Sequence, residues 1–390
     1  MSRLRGSIGI RRVWLALATV VALFSFVRPA LAAPFVYVTN SDGVSQYDVG
    51  AGGLLSPLVP PTVAAGNGPL RVAVSPDGAN VYVANADDDS VSQYDVGADG
   101  ALRPKSPATV PAGDLPVGVA VSPDGRSVYV TNVFGDSVSQ YDVRPDGALE
   151  PKRPATVFAG VGARDVAVSP DGGSVYVADQ TPVHVGGQTV GIAYQFDVGP
   201  RGTLEPKSPA TVVAGPTLTA LAVSPNGRSV YLTSFDRHVY QYDVGAGGRL
   251  SPKSPARVAA DNPYAMAVSP DGRSVYVTNN VQGTILQYDV GPGGALSPKS
   301  PATVAGGLTP DGVAVSPDGS SVYVADAYGS VSQYDVGPGG ALRPKSPFRV
   351  AAGRGSIGVA VSPGRPARPG KGCGDENHAH AGAADCNRLR

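Results

Sequence analysis

The chain is short of most features that would announce a chemistry. Its 390 residues include two cysteines, Cys373 and Cys386, and one tryptophan, Trp14. Both cysteines lie near the C-terminus, so no disulfide framework staples the body of the chain. They close a small loop or stay as free thiols. Although His378 and His380 fall between them, the spacing does not match a four-ligand zinc site. Charged residues make up 16%, against about 25% in an ordinary globular protein. Lys+Arg and Asp+Glu balance at 31 each, which removes a general electrostatic case for nucleic acid or an anionic membrane. Glutamate occurs only as Glu150, Glu205 and Glu376. There is no G-x-S-x-G nucleophile elbow and no H-E-x-x-H zinc helix. No cofactor and no metal is expected.

Long hydrophobic runs are also missing. The longest, residues 13–27, falls short of the roughly 20 residues a membrane span needs. Arg3, Arg5, Arg11 and Arg12 lie ahead of or at its start, and Ala30-Leu31-Ala32 follows with the small-x-small pattern of a cleavage site. Residues 1–33 therefore read as an export signal, giving a secreted or periplasmic protein with no membrane span after cleavage. Whether Arg11-Arg12 marks a twin-arginine route stays open. Residues 364–390 turn rich in Gly, Pro, Ala and Arg and are expected to be a disordered tail.

What the sequence does have is repetition. MAVSPDGRSVYVTN at residues 266–279 nearly duplicates VAVSPDGRSVYVTN at residues 119–132. Ser-Pro recurs at Ser75, Ser122, Ser169, Ser224, Ser269, Ser316 and Ser362. The Gln-Tyr/Phe-Asp aromatic recurs at Tyr47, Tyr94, Tyr141, Phe196, Tyr242, Tyr288 and Tyr334, in steps of 47, 47, 55, 46, 46 and 46 residues. A period of this size signals a solenoid or a propeller. The second unit reads as four strands: residues 71–75, 80–85, 90–96 and 108–111. Pro76 and Gly78 supply the φ values of a tight turn between the first two. No 12-residue window inside the repeats lacks Gly and Pro and shows a 3.6-residue period, which excludes a helical solenoid.

The ends of the repeat region complete each other. The N-terminal end has a second-type strand with no first strand before it; the C-terminal end has VAVSP, residues 359–363, with no second strand after it. The pattern predicts an all-β, seven-bladed β-propeller over residues 34–363, with four-stranded antiparallel blades. The C-terminal strand would join the N-terminal blade and close the ring, leaving no open sheet edge.

The core Val-Ala-Val-Ser-Pro-Asp-Gly-x-x-Val-Tyr-Val-Thr/Ala-Asn resembles the YVTN-type β-propeller repeat. The continuation Gln-Tyr-Asp-Val-Gly-x-x-Gly-x-Leu, residues 93–102, is similar to the lactonase-like propellers, the group named for 6-phosphogluconolactonase. The resemblance runs from about residue 35 to 363. Its motifs lie in strands and turns, so it implies the fold more strongly than an activity. The activity it implies is opening of a small, sugar-type lactone.

Function should appear where the sevenfold repetition breaks. On the face formed by loops entering the first strands and loops leaving the second, called the top here, the repeat position at Arg71 and Asp165 is otherwise small. Arg164 precedes Asp165. The one sizeable insertion, about residues 180–191, holds His184, and the next unit holds Asp236-Arg237-His238. His184, His238, Asp165 and Asp236 are candidate acid/base groups, and Arg71, Arg164 and Arg237 candidate ligand contacts. Lactone opening needs a base for water and a cation for the developing oxyanion. Asp87-Asp88-Asp89 lacks the spacing of a calcium loop and reads as a solvated turn.

The main functional expectation is a monomeric scaffold that binds a small molecule or protein on its top face. The alternative is a lactonase-like hydrolase using the His/Asp/Arg set. The second alternative is a structural envelope protein. That reading uses Lys105, Lys152, Lys207, Lys253, Lys299 and Lys345, which all fall at one repeat position, as a basic crown facing an anionic polymer.

Overall fold

In the computed structural model, residues 34–364 are described; the expected leader, the C-terminal tail, Cys373 and Cys386 lie outside them. The described residues form seven antiparallel sheets, six of four strands and one of five. No helix among them is long and apolar enough to cross a membrane. Blade 2 shows the plan: Pro69–Val74 inside, then Asn80–Asn85, Ser90–Val96 and Leu102–Pro111 outside. Blade 1 is stitched from both ends. Val359–Val361 pairs antiparallel with Phe35–Asn40, matching Val38 with Val359 and Val36 with Val361. The backbone N–H of Phe35 donates to Ser362 Oγ at 2.7 Å, fixing the join.

Each bottom turn is built by its own sequence. In Ser75-Pro76-Asp77-Gly78, the Gly78 N–H donates to the Ser75 carbonyl at 2.8 Å with Gly78 at φ 68°. Asp77 Oδ1 accepts from Ser75 Oγ and from the Ala79 N–H. Ser75 Oγ in turn accepts from the Asn80 N–H, so the polar groups of the turn satisfy one another.

The blades pack through valine faces, as in the buried second strands Asn80–Asn85 and Ser127–Asn132. Three polar devices repeat across the interfaces. Tyr82 Oη donates to the Gly147 carbonyl of blade 3 at 2.7 Å. All seven second-strand tyrosines make this bond to the next blade, from Tyr37 to Tyr323. Burial raises six of these phenols, from Tyr82 to Tyr323, with Tyr129 at about 12, so those six stay donors at any working pH. Gln93 Oε1 accepts from the Leu149 N–H of blade 3, and its Nε2 donates to Pro107 on its own outer strand. Lys105 pairs with Asp95 and donates to the Asp146 carbonyl of the next blade at 2.7 Å.

This arrangement corrects three expectations. The third strands look polar in sequence as if solvated, yet Ser92 and Gln93 are buried, and the glutamine bridges blades. The six lysines do not form a basic crown. Their side chains are 1–4% exposed, each held by an aspartate of its own blade and a carbonyl of the next. A four-carbon stem reaches across the interface while the half-exposed aspartate stays in water. The anionic-polymer reading thus loses its basis. The outer strand is also longer than expected. It starts at Leu102, so the Leu-x-Pro-Lys-Ser-Pro stretch is strand, and Glu150 and Glu205 sit in such strands rather than in turns.

Blade 1 lacks the lysine: Leu58 stands in its place, and Phe35 replaces the usual Ser or Asn at the head of the second strand. Both belong to the apolar cluster between blades 1 and 2, with Tyr37 and Tyr94. An apolar pair replaces a polar one at the same interface.

The closing strand covers Val36 and Val38, which are fully buried. A chain ending at Gly358 should melt roughly 10 °C or more below one ending at Gly364, or fail to fold. Circular dichroism melting of the two checks this; equal melting curves would show that the stitched blade does not hold the ring.

Candidate functional site

In blades 2 to 7 the top of the inner strand opens with an irregularity in its pairing. In blade 4 the register shifts between Ala163 and Asp165, and in blade 2 between Pro69 and Val72. Such bulges re-aim side chains. Here the two residues before the regular strand sit at the top of the innermost strands, around the mouth of the central channel. In blade order from blade 2 they are Leu70-Arg71, Val117-Gly118, Arg164-Asp165, Thr219-Ala220, Tyr264-Ala265 and Asp311-Gly312, with Ile357-Gly358 completing blade 1.

A threonine on the second strand anchors several of these bulges. The Gly118 N–H donates to Thr131 Oγ1 at 2.8 Å, and that hydroxyl lies 2.9 Å from the Arg164 carbonyl of the next blade. Thr278 does the same for Ala265 and the Asp311 carbonyl, and Thr39 for Gly358 and the Leu70 carbonyl. Blades 2, 4 and 7 carry alanine there instead: Ala84, Ala178 and Ala325. Those are the blades that bring Arg71, Arg164-Asp165 and Asp311 to the mouth, each beside a threonine-bearing blade that fixes its backbone.

Arg164 spans from blade 4 to blade 6. Its Nη2 donates to Tyr264 Oη at 2.8 Å, its Nη1 to Gln180 Oε1 at 2.7 Å, and the guanidinium carbon lies 5.4 Å from the Tyr264 ring centroid. Its Nε is buried without a partner among the described residues. The Arg71 side chain makes no hydrogen bond or ion pair among the described residues, yet its charge bears on both mouth carboxylates.

Those two carboxylates differ. Asp165 accepts from the Leu221 N–H of blade 5 at 2.9 Å and from its own Val166 N–H at 3.1 Å. It keeps some surface open to the channel, but protein surrounds the carboxyl, and burial raises its pKa against the pull of Arg71, the two N–H groups and Arg164. Asp311 is 7% exposed and has one long contact, Asn280 Nδ2 at 3.5 Å. Burial, opposed by Asn280 and Arg71, pushes it up to about 6. Asp165 is a satisfied bridge between blades; Asp311 is an almost unsupported carboxylate aimed into a polar mouth.

The expected cluster therefore divides. Arg71, Arg164 and Asp165 share the mouth. His238 sits at the start of a third strand, its Nδ1 2.9 Å from the Asp236 carbonyl. Asp236 accepts from Tyr240 Oη at 2.6 Å and lies 3.6 Å from Arg257. Exposed Arg237 pairs with half-buried Asp261 at 2.5 Å. His184 lies on an exposed hairpin, Val183–Val185 against Gln188–Val198, with Nδ1 3.2 Å from Thr189 Oγ1. No contact among the described residues ties His184, His238, Asp236 or Arg237 to the mouth residues.

Asp311, Tyr264, Asn280 and Gln180 were not among the expected residues. Pro310-Asp311-Gly312 spells the same letters as the bottom turns and hides in the repeat. The Thr-to-Ala exchange after Tyr-Val marks the three charged blades in the sequence itself. A cavity of about 920 Å³ lies at the other face between bottom turns of blades 5 to 7. Serine–aspartate turn bonds occupy its lining, as at Ser269 and Asp271, so the mouth is the better site.

A family model described as "Lactonase, 7-bladed beta-propeller" matches residues 32–191 and 229–363, well over half of the chain. No curated protein sequence matches. Among solved structures, a Bacteroides fragilis protein described as a candidate 6-phosphogluconolactonase is similar at 20% identity and TM-score 0.72, covering 85% of this chain and 98% of that one. A periplasmic gluconolactonase of Pseudomonas aeruginosa is similar at 21% and 0.66, covering 85% and 99%. Kuenenia stuttgartiensis hydrazine synthase is similar at 21% and 0.59, covering 80% and 98%. At these identities the likeness carries the fold alone, which hosts more than one chemistry.

The raised pKa of Asp311 has a cost in stability. Its folded value, about 6, lies above the ordinary 3.8, so the folded state loses stability as pH rises from about 4 to about 6, by about 3 kcal/mol in all. Asp311→Asn should therefore melt several degrees above the parent at pH 8 and gain little at pH 3.5. Calorimetry at the two pH values checks this; equal gains at both would contradict the assignment.

Proposed function

This chain belongs to the lactonase family of seven-bladed β-propellers, and from that premise we propose that the channel mouth hydrolyses a lactone. The observation that carries the reading is Asp311: a buried carboxylate titrating near 6, beside an arginine free to bind an oxyanion. A general base works best with a pKa near the operating pH.

In this reaction Asp311 takes a proton from water as the water oxygen attacks the lactone carbonyl carbon. The carbonyl becomes an oxyanion, which Arg71 stabilises through its guanidinium N–H groups. The tetrahedral intermediate collapses, the ring C–O bond breaks, and the departing alkoxide receives the proton from Asp311. The product is an open-chain hydroxy acid. Arg164, tied to Tyr264 and Gln180, holds the mouth in shape, and Asp165 bridges to blade 5 through the Leu221 N–H. His184 and His238 take no part.

The family match favours this enzymatic reading over a scaffold that only binds a ligand at the top face. The test is acid release in a pH-stat on a panel of lactones. Asp311→Asn should lower kcat about 100-fold or more, and kcat/KM of the parent should fall as pH drops through about 6, as the base is protonated. A His184→Ala/His238→Ala double variant should stay within about twofold of the parent. Absence of turnover on every lactone would overturn the reading, as would a parental rate in Asp311→Asn.

A further inference from the structure

We propose that the lactone taken at the mouth is an uncharged one bearing an apolar chain, and that Val161, Val281 and Leu308 grip the chain. The proposal rests on the lactone-hydrolysis reading of the same mouth and adds the chemical class of its substrate.

The first observation is where apolar surface is exposed. Among the described residues, all but one of the large hydrophobic side chains left exposed lie on top-face loops or at the top ends of strands; the exception is Val59, on an outer strand. Three of them stand within three residues of Arg164, Asn280 or Asp311 in the chain. Val161, 58% exposed, stands three residues before Arg164. Val281, 72% exposed, follows Asn280. Leu308, 62% exposed, stands three residues before Asp311. Repetition does not require these residues: the loop position held by Val161 and Leu308 is Asn67, Asp114, Pro216, Asp261 and Arg354 elsewhere.

The loops that present them are tightly built. The Leu308 N–H donates to Asp326 Oδ2 at 2.5 Å. Val161 stands between Gly160 at φ 102° and Gly162 at φ 147°, and a Cβ on Gly162 would meet Thr181 Oγ1 at 2.3 Å. One such side chain needs no explanation; several on loops that lead to the same mouth mark a ligand-binding surface.

The second observation is charge. A phosphorylated lactone brings close to two negative charges and needs cations to spare. At the mouth Arg71 and Arg164 face Asp165 and Asp311, and Arg164 is already bound. Every lysine among the described residues is one of the six inter-blade lysines, buried away from this face. The top loops of blades 1 to 3 add Asp42, Asp87, Asp88, Asp89 and Asp114. An anionic substrate meets a balanced mouth with an acidic flank; an uncharged apolar one meets complementary surface.

The experiment compares δ-valerolactone, δ-decanolactone, glucono-δ-lactone and its 6-phosphate under one condition. We expect kcat/KM for δ-decanolactone at least about 10-fold above δ-valerolactone, since added methylenes in an apolar pocket are each worth up to that order, and about 100-fold above the 6-phosphate. Val161→Ser/Val281→Ser/Leu308→Ser changes only exposed side chains. It should lower the δ-decanolactone value about 10-fold and leave δ-valerolactone within twofold. Titration calorimetry on Asp311→Asn gives a readout without turnover: δ-decanolactone binds, the serine variants weaken it, and the 6-phosphate does not compete. Preference for either sugar lactone, or an unchanged chain preference in the serine variant, overturns the substrate class while leaving lactone hydrolysis intact. Binding of δ-decanolactone with no turnover by the parent overturns hydrolysis and leaves the class standing. Binding of none of the four overturns both.

Discussion

The bond from a second-strand tyrosine to a glycine carbonyl in the next blade, with the glutamine and lysine bridges beside it, is the constraint on which this molecule depends. A blade alone leaves both of its apolar faces open; its neighbours must arrive at a fixed height and angle to cover them. Valine faces supply most of the burial but slide easily, because hydrophobic contact has no direction. Hydrogen bonds do have direction, and leaving a buried donor unmade costs about 1–3 kcal/mol. A ring of seven phenols, each aimed at one carbonyl, therefore sets the register between blades and lets the last blade meet the first. Where the lysine bridge is missing, at blade 1, Phe35 and Leu58 fill the space together, so the interface changes as a pair.

Much of this was legible in the sequence because the repeat writes it seven times. The turn chemistry of Ser-Pro-Asp-Gly, the spacing of Tyr and Gln-Tyr-Asp, and the complementary half-units at residues 35 and 359 fix the ring and its seam. Depth was less legible. Gln93 and Lys105 look like surface residues by composition, and only the packing of one blade on the next shows them buried. The outer strand was hidden by its prolines, which read as breakers but lie on an edge strand that tolerates them.

The site was only half legible, and the reason is physical. Sequence distance measures loops well and channel mouths poorly. Arg71, Arg164 and Asp165 stood out as breaks in a small-residue position. His184 and His238 stood out by rarity, yet one lies on a hairpin extending beyond the blade and the other at the start of a third strand. Asp311 was camouflaged by the turn motif it imitates. The exchange of threonine for alanine at Ala84, Ala178 and Ala325 is the cue that joins the charged blades, and it becomes meaningful once the threonine is seen holding the next blade's bulge.

Repetition and function thus occupy different atoms of the same strands: the repeated residues lock blades together, and the unrepeated ones face the mouth. The most direct measurement of that division is to return the mouth to the repeat pattern with Arg71→Gly, Arg164→Val and Asp311→Val, residue types that other blades already carry at these positions, and to record melting temperature and lactone turnover on the same preparation. The account predicts a folded, cooperatively melting protein with turnover lost. A folded triple variant that still opens lactones at the parental rate would contradict it.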